Sequence, residues 1–160
     1  MTRVVLFVCT GNLCRSPMAA AFFNAHAASA GEADQYIGLS AGTWAAESQP
    51  ASGYAVAAMA GRGIDLTSHR AHEITAQAID EADIVIVMTG SHREALSAEF
   101  PQARRKIHMM SELADRTYDI ADPYGGAASE YEATAQQLER LISDGYEKIK
   151  WWISGANSSS

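Results

Sequence analysis

An α/β fold, with a parallel sheet covered on both faces by helices, is predicted by three features of this 160-residue sequence. The runs 4–8 (VVLFV) and 84–88 (IVIVM) are continuously apolar and rich in β-branched residues, as strands buried on both faces are. A stretch of helical spacing follows each run. Strands and helices then alternate along the chain, which favours parallel pairing through crossover connections.

Taken in order, Val4–Val8 reads as the first strand. Ser16 and Pro17 open a helix over 18–30, because Ser is a preferred N-cap and Pro suits the first helical position. Gly31 ends it. Tyr36–Ser40 is a second strand. A helix over 52–60 closes at Gly61 and Gly63, and another covers 75–82. Residues 83–88 form the third strand, and a helix over 91–100 stops at Pro101. Lys106–Met110 is a fourth, weaker strand. The last helix spans 129–152, with Tyr131, Ala135, Leu138, Leu141, Ile142, Ile149 and Trp152 at helical spacing. A single domain over 1–153 follows, with a small, polar tail at 154–160.

The net charge of −7 argues against nucleic acid or an anionic membrane surface as partner, since both attract basic proteins. No apolar run approaches the length of a membrane span, and the N-terminus lacks a secretory pattern. Only two cysteines occur, Cys9 and Cys14, too few for a secreted disulfide scaffold. A reducing, cytoplasmic setting is expected.

The chemistry concentrates in Cys9-Thr10-Gly11-Asn12-Leu13-Cys14-Arg15-Ser16-Pro17, between the first strand and the first helix. Ligands bind at the carboxyl ends of strands in such sheets. Consecutive amides in a tight loop form an anion nest, and the helix start adds its positive end. Gly11 and Asn12 are residue types that tolerate a left-handed backbone. A free thiol is only about 3% ionised at neutral pH, and a setting of this kind favours the thiolate. Arg15 supplies a planar fork matched to phosphate oxygens. Ser16 can donate to the sulfur and help it leave. The Gly-Lys-Ser/Thr of a nucleotide-binding loop is missing. Two cysteines and the His69/His72 pair are too few for a zinc site, so no metal is expected.

The run VLFVCTGNLCRSPMAAAFF resembles the opening of the low-molecular-weight protein-tyrosine phosphatase family. The likeness continues through LSAGTWA, GIDLTSHRAHEIT, ADIVIVMT and DIADPYGG, and covers Val4 to about Lys150. It implies a four-stranded parallel sheet of order 2-1-3-4. It implies Cys9 as nucleophile, Thr10 to Arg15 as phosphate cradle and Asp122 as general acid. It also implies that Asn12, Ser16, Ser40 and His69 hold the loop in shape, and that Cys14 forms a reversible disulfide with Cys9 under oxidants. No cofactor is implied. Phosphate and vanadate-like oxyanions are the expected inhibitors.

Asp122 stands before Pro123, where an Asp is ordinarily a turn former. Its place between the last strand and the last helix puts it on the sheet edge that carries the Cys9 loop. Asp119 is the alternative acid. For the substrate, tyrosine phosphatases of the family carry a bulky aliphatic residue where Leu13 stands, and the related protein-arginine phosphatases carry Thr. Leu13 thus favours an aryl phosphate on a protein or peptide, with Trp44 and Tyr124 as candidate walls for the ring. SAGTWA and the single Tyr before Gly125-Gly126 are shared with the arginine-phosphatase branch, so phosphoarginine is the alternative substrate. Arsenate reductases of this fold need further cysteines after the third strand, and 83–100 contains none. A non-catalytic phosphate-binding or redox-sensing module is the reading from another class, and the joint presence of Cys9, Arg15 and Asp122 speaks against it.

Overall fold

The two apolar runs become the central strands of the sheet. In the computed structural model, which describes residues 1–158 and side chains to Gly155, the strands are β1 (Arg3–Cys9), β2 (Tyr36–Gly42), β3 (Ile84–Val87) and β4 (Ile107–Met109). They form one sheet of order β2-β1-β3-β4 with every pair parallel. The helices are α1 (Arg15–Ser29), α2 (Gly53–Ala60), α3 (Ala76–Glu81), α4 (Gly90–Glu99) and α5 (Ala128–Ser158).

Period-two alternation along β1 and β3 divides the core into two layers. Val5, Phe7, Ile84, Ile86 and Met88 pack with Met18 and Phe23 of α1 and with Leu138, Ile142 and Ile149 of α5. Leu6, Val8, Val85 and Val87 point to the other face, against Ile79 of α3 and Leu96 of α4. Burial on both faces is why these strands lack polar alternation. The expected strand order and three-layer arrangement are observed.

Most boundaries shift by a residue or so, and three differences bear on the account. Helix α1 starts at Arg15, with Cys14 rather than Ser16 at the N-cap. Ser16 lies inside the first turn because its hydroxyl is engaged by the loop before it. Strand β2 runs on to Gly42, paired with Cys9. Helix α5 continues to Ser158, so the expected tail is helical over 154–158, and residues 159 and 160 lie outside the described part.

Gly42 ends β2 directly beneath the loop that follows β1. A Cβ there would run into Thr10 O and lie 3.0 Å from Ala45 Cβ and 3.1 Å from Asn12 N. Backbone atoms cannot swing aside as a flexible side chain can. Gly42→Ala is expected to cost about 1–3 kcal/mol of overpacking in urea denaturation. Gly53→Ala, where nothing lies within 4 Å, is the control and should not lower the midpoint.

Candidate active site

The loop from Cys9 to Arg15 wraps around a small pocket of about 170 Å³ at the carboxyl end of β1. Cys9, Thr10, Gly11, Leu13, Cys14, Arg15, Asp122 and Tyr124 line it. A larger cavity of about 660 Å³ beside β2 is lined in part by Ser40 and His69, and neither cysteine reaches it.

Asn12 holds the loop closed. It is fully buried and adopts a left-handed backbone, φ 58°, which Asn tolerates better than most residues. Gly11, expected to share that conformation, does not adopt it. The Asn12 carbonyl accepts from His69 Nε2 at 2.7 Å, so that nitrogen carries the ring proton. Its Oδ1 accepts the His72 amide at 3.0 Å, and its Nδ2 donates to Ser16 Oγ at 2.8 Å. Ser16 Oγ is 2.9 Å from Cys9 Sγ and 3.3 Å from Ala41 O. With a lone pair of the hydroxyl taken by Asn12, its proton is free to point at the sulfur or at that carbonyl. Asn12 and Ser16 thus brace the loop from behind and do not line the pocket. His69 joins them through its bond to the Asn12 carbonyl. Ser40 makes no side-chain bond in this network, where Ala41 O takes the bond instead.

Arg15 is 4% exposed. Its Nη1 donates to Ile120 O at 2.9 Å, and its Nη2 lies 3.4 Å from Asp122 Oδ2. Its Nε is buried with no partner among protein atoms. Ile120 N–H donates to Met88 O at 2.9 Å, which fixes the acid-bearing loop at the end of β3, beside the Cys9 loop. Asp122 Oδ1 accepts the Tyr124 amide at 3.1 Å in a short turn. The Asp122 side chain is about half exposed, open to a leaving group or to water. Asp119 is not in the pocket: its Oδ1 accepts the Gly90 amide at 2.9 Å and caps α4. Trp44 does not line the pocket either. It is 83% exposed, although its amide donates to Thr10 O at 2.9 Å.

The two cysteines are both free, but their surroundings differ. Cys14 donates to Tyr131 Oη at 3.7 Å and lies 3.4 Å from Ser52 Oγ. Burial pushes its thiol up and outweighs these hydrogen bonds, so it is protonated at neutral pH. Cys9 instead sits beside the Ser16 hydroxyl on the pocket wall.

His92 escaped sequence reasoning. It lies in the first turn of α4, 82 residues from its partner, with Nε2 2.9 Å from Thr10 Oγ1 and Nδ1 buried without a partner. Burial first, then the nearby Arg15 guanidinium, hold its imidazole down to about 4, and Asp119 and Asp122 oppose this only in part. The one available signal is a His just after the carboxyl end of an apolar strand, and it is a weak one. With Asp119 on Gly90 and His92 on Thr10, the start of α4 brackets both loops of the pocket.

Among known proteins, the family model described as low molecular weight phosphotyrosine protein phosphatase matches residues 4–151. A protein-arginine-phosphatase of Geobacillus stearothermophilus is 39% identical over 150 residues, 91% of this chain and 95% of that protein. The crystal structure of a low molecular weight protein tyrosine phosphatase from T. tengcongensis superposes with a TM-score of 0.87 at 39% identity, over 92% of this chain and 99% of that one. A mutant of YwlE arginine phosphatase with a phosphorylated active-site serine also superposes with a TM-score of 0.87, at 32% identity, over 92% and 95% of the two chains.

The neutral histidines set a pH dependence. An unfolded chain protonates at His92 near 6.5, whereas the folded chain does so only near 4. Stability from this residue is therefore complete above about 6.5 and falls as the pH drops through that window. His69, also lowered by burial, acts in the same direction. Denaturant midpoints measured at pH 7 and pH 5 should differ less in His92→Asn than in the wild type.

Proposed function

The chain belongs to the low molecular weight phosphotyrosine protein phosphatase family, and from that premise we propose that it hydrolyses phosphotyrosine in proteins through a phospho-cysteine intermediate on Cys9. The observation that carries the reading is the convergence of Cys9, Arg15 and Asp122 on one small pocket.

A phosphoryl group entering the pocket meets the amides of the loop and the free donors of Arg15, a fork that fits two of its oxygens. The dianion displaces the Asp122 carboxylate from Nη2, and its negative charge favours uptake of a proton from solvent, so that Asp122 meets the bridging oxygen as a carboxylic acid. The Cys9 thiolate attacks phosphorus in line. The S–P bond forms as the P–O bond to the phenol breaks, and Asp122 gives its proton to the departing oxygen, a step worth about 10²–10⁴-fold. The carboxylate then takes a proton from water, whose oxygen attacks phosphorus. The sulfur departs as thiolate, stabilised by the Ser16 hydroxyl at 2.9 Å. The amides and the guanidinium supply the positive charge, so each step proceeds without a metal or organic cofactor. Phosphate and vanadate-like oxyanions would occupy the same donors and inhibit.

Leu13 and Tyr124 line the pocket and favour an aromatic ring over a guanidino group. Phosphoarginine is the second reading, favoured by the 39% identity to a protein-arginine-phosphatase. Cys14 fits the role of a resolving thiol. Hydrogen peroxide oxidises Cys9 to the sulfenic acid, and the Cys14 thiol condenses with it, giving a disulfide and water. A cytoplasmic site of action accords with two free cysteines. Among the described residues, no helix is long and apolar enough to cross a membrane.

Cys9→Ser is expected to abolish hydrolysis of p-nitrophenyl phosphate while retaining phosphate binding, and appreciable turnover by that variant defeats the mechanism. Side-by-side rates on phosphotyrosine and phosphoarginine peptides should favour phosphotyrosine. Leu13→Thr should shift the ratio towards phosphoarginine. A wild-type preference for phosphoarginine replaces the first reading with the second.

A further inference from the structure

Of the segments bonded to the loop that cradles the phosphate, three present an exposed aromatic ring. The Trp44 amide donates to Thr10 O at 2.9 Å. The segment after Ile120 is tied by Arg15 Nη1 and carries Tyr124, 65% exposed, on the pocket wall. The third segment is the start of α2. There the Ser52 amide donates to Leu13 O at 3.0 Å and the Ser52 hydroxyl lies 3.4 Å from Cys14 Sγ. Two residues further on stands Tyr54, 51% exposed. Among the described residues the one other exposed aromatic is Trp151, near the end of α5.

Tyr54 is held in place rather than loosely exposed. One side of its ring packs on Tyr131, with centroids 5.5 Å apart and planes 58° apart. Tyr131 is buried, and its hydroxyl accepts a hydrogen bond from the Cys14 thiol. The ring is thereby tied to the cradle along two routes, through Ser52 to Leu13 and through Tyr131 to Cys14. Residues 48–60 carry no charged side chain, so the segment that presents Tyr54 is itself uncharged.

A cavity of about 170 Å³ takes the phosphorylated side chain and little more. The neighbouring residues of a protein substrate must lie on the rim, because an extended chain advances about 3.3–3.6 Å per residue. We propose that Tyr54 is a specificity-determining residue of this site, whose exposed ring receives an apolar side chain one or two residues from the phosphorylated one. This rests on the phosphatase reading above. Tyr124 bounds another side of the mouth, and Tyr54 selects on the Leu13 side.

The test compares kcat/KM on p-nitrophenyl phosphate and on two phosphotyrosine peptides that differ only in having Leu or Gly at the flanking positions. The wild type should prefer the Leu peptide. Tyr54→Ala should lower the Leu-to-Gly ratio of kcat/KM about fivefold to tenfold, mainly through KM, as loss of an aromatic contact does. Tyr54→Phe should restore the ratio, since the ring and not the hydroxyl makes the contact. A loss shared equally by all three substrates, or a ratio that Tyr54→Ala leaves intact, overturns the assignment while p-nitrophenyl phosphate turnover upholds the phosphatase reading. A wild type that turns over none of the three defeats both.

Discussion

A positive charge buried beside a nucleophile governs this structure. Arg15 keeps its guanidinium at 4% exposure, where an uncompensated charge costs several kcal/mol (order of magnitude). Among the described residues its only carboxylate partner, Asp122, is half exposed and 3.4 Å away, and one of its donors has no partner. The compensation is therefore incomplete until an anion with several acceptor oxygens enters. The same side chain also builds the site. By holding Ile120 O it fixes the loop that carries Asp122 against the loop that carries Cys9. Removing the charge would thus loosen the geometry as well as the electrostatics.

The remainder of the molecule serves to hold that charge and the sulfur in register. Strands β1 and β3 end side by side, so the segments that leave them meet at one edge. Asn12 converts the first segment into a closed loop through three hydrogen bonds and one left-handed residue. Helix α2 braces it at Leu13, and helix α4 braces it at Thr10 through His92. Each brace is short-range and directional. A rigid cradle preorganises its amides for the transferring phosphoryl group, whereas a mobile one would have to be ordered in every turnover.

Much of this was legible in the residues. Two β-rich apolar runs announced the central strands, and the strand–CTGNLCRSP–helix sequence placed the anion nest between them. Other features were hidden for identifiable reasons. Ser16 looked like an N-cap because residue preference describes isolated helix ends, and here the hydroxyl is taken by Asn12 and Cys9. Asp119 stood as the alternative to Asp122 in the same loop, and the fold sends it to the end of α4 while Asp122 lines the pocket. His92 meets Thr10 across 82 residues, a long-range contact that no local pattern encodes. Trp44 read as a wall of the pocket, but its amide rather than its ring reaches the cradle.

The most direct measurement is the thermal midpoint of the protein as inorganic phosphate is added, in the wild type and in Arg15→Ala. A ligand that binds only the folded state raises stability with the logarithm of its concentration once past its dissociation constant. The wild-type midpoint is expected to climb in this way, and the Arg15→Ala midpoint to stay flat. A wild type indifferent to phosphate, or a variant that gains as much as the wild type, would contradict the claim that this buried guanidinium awaits an oxyanion.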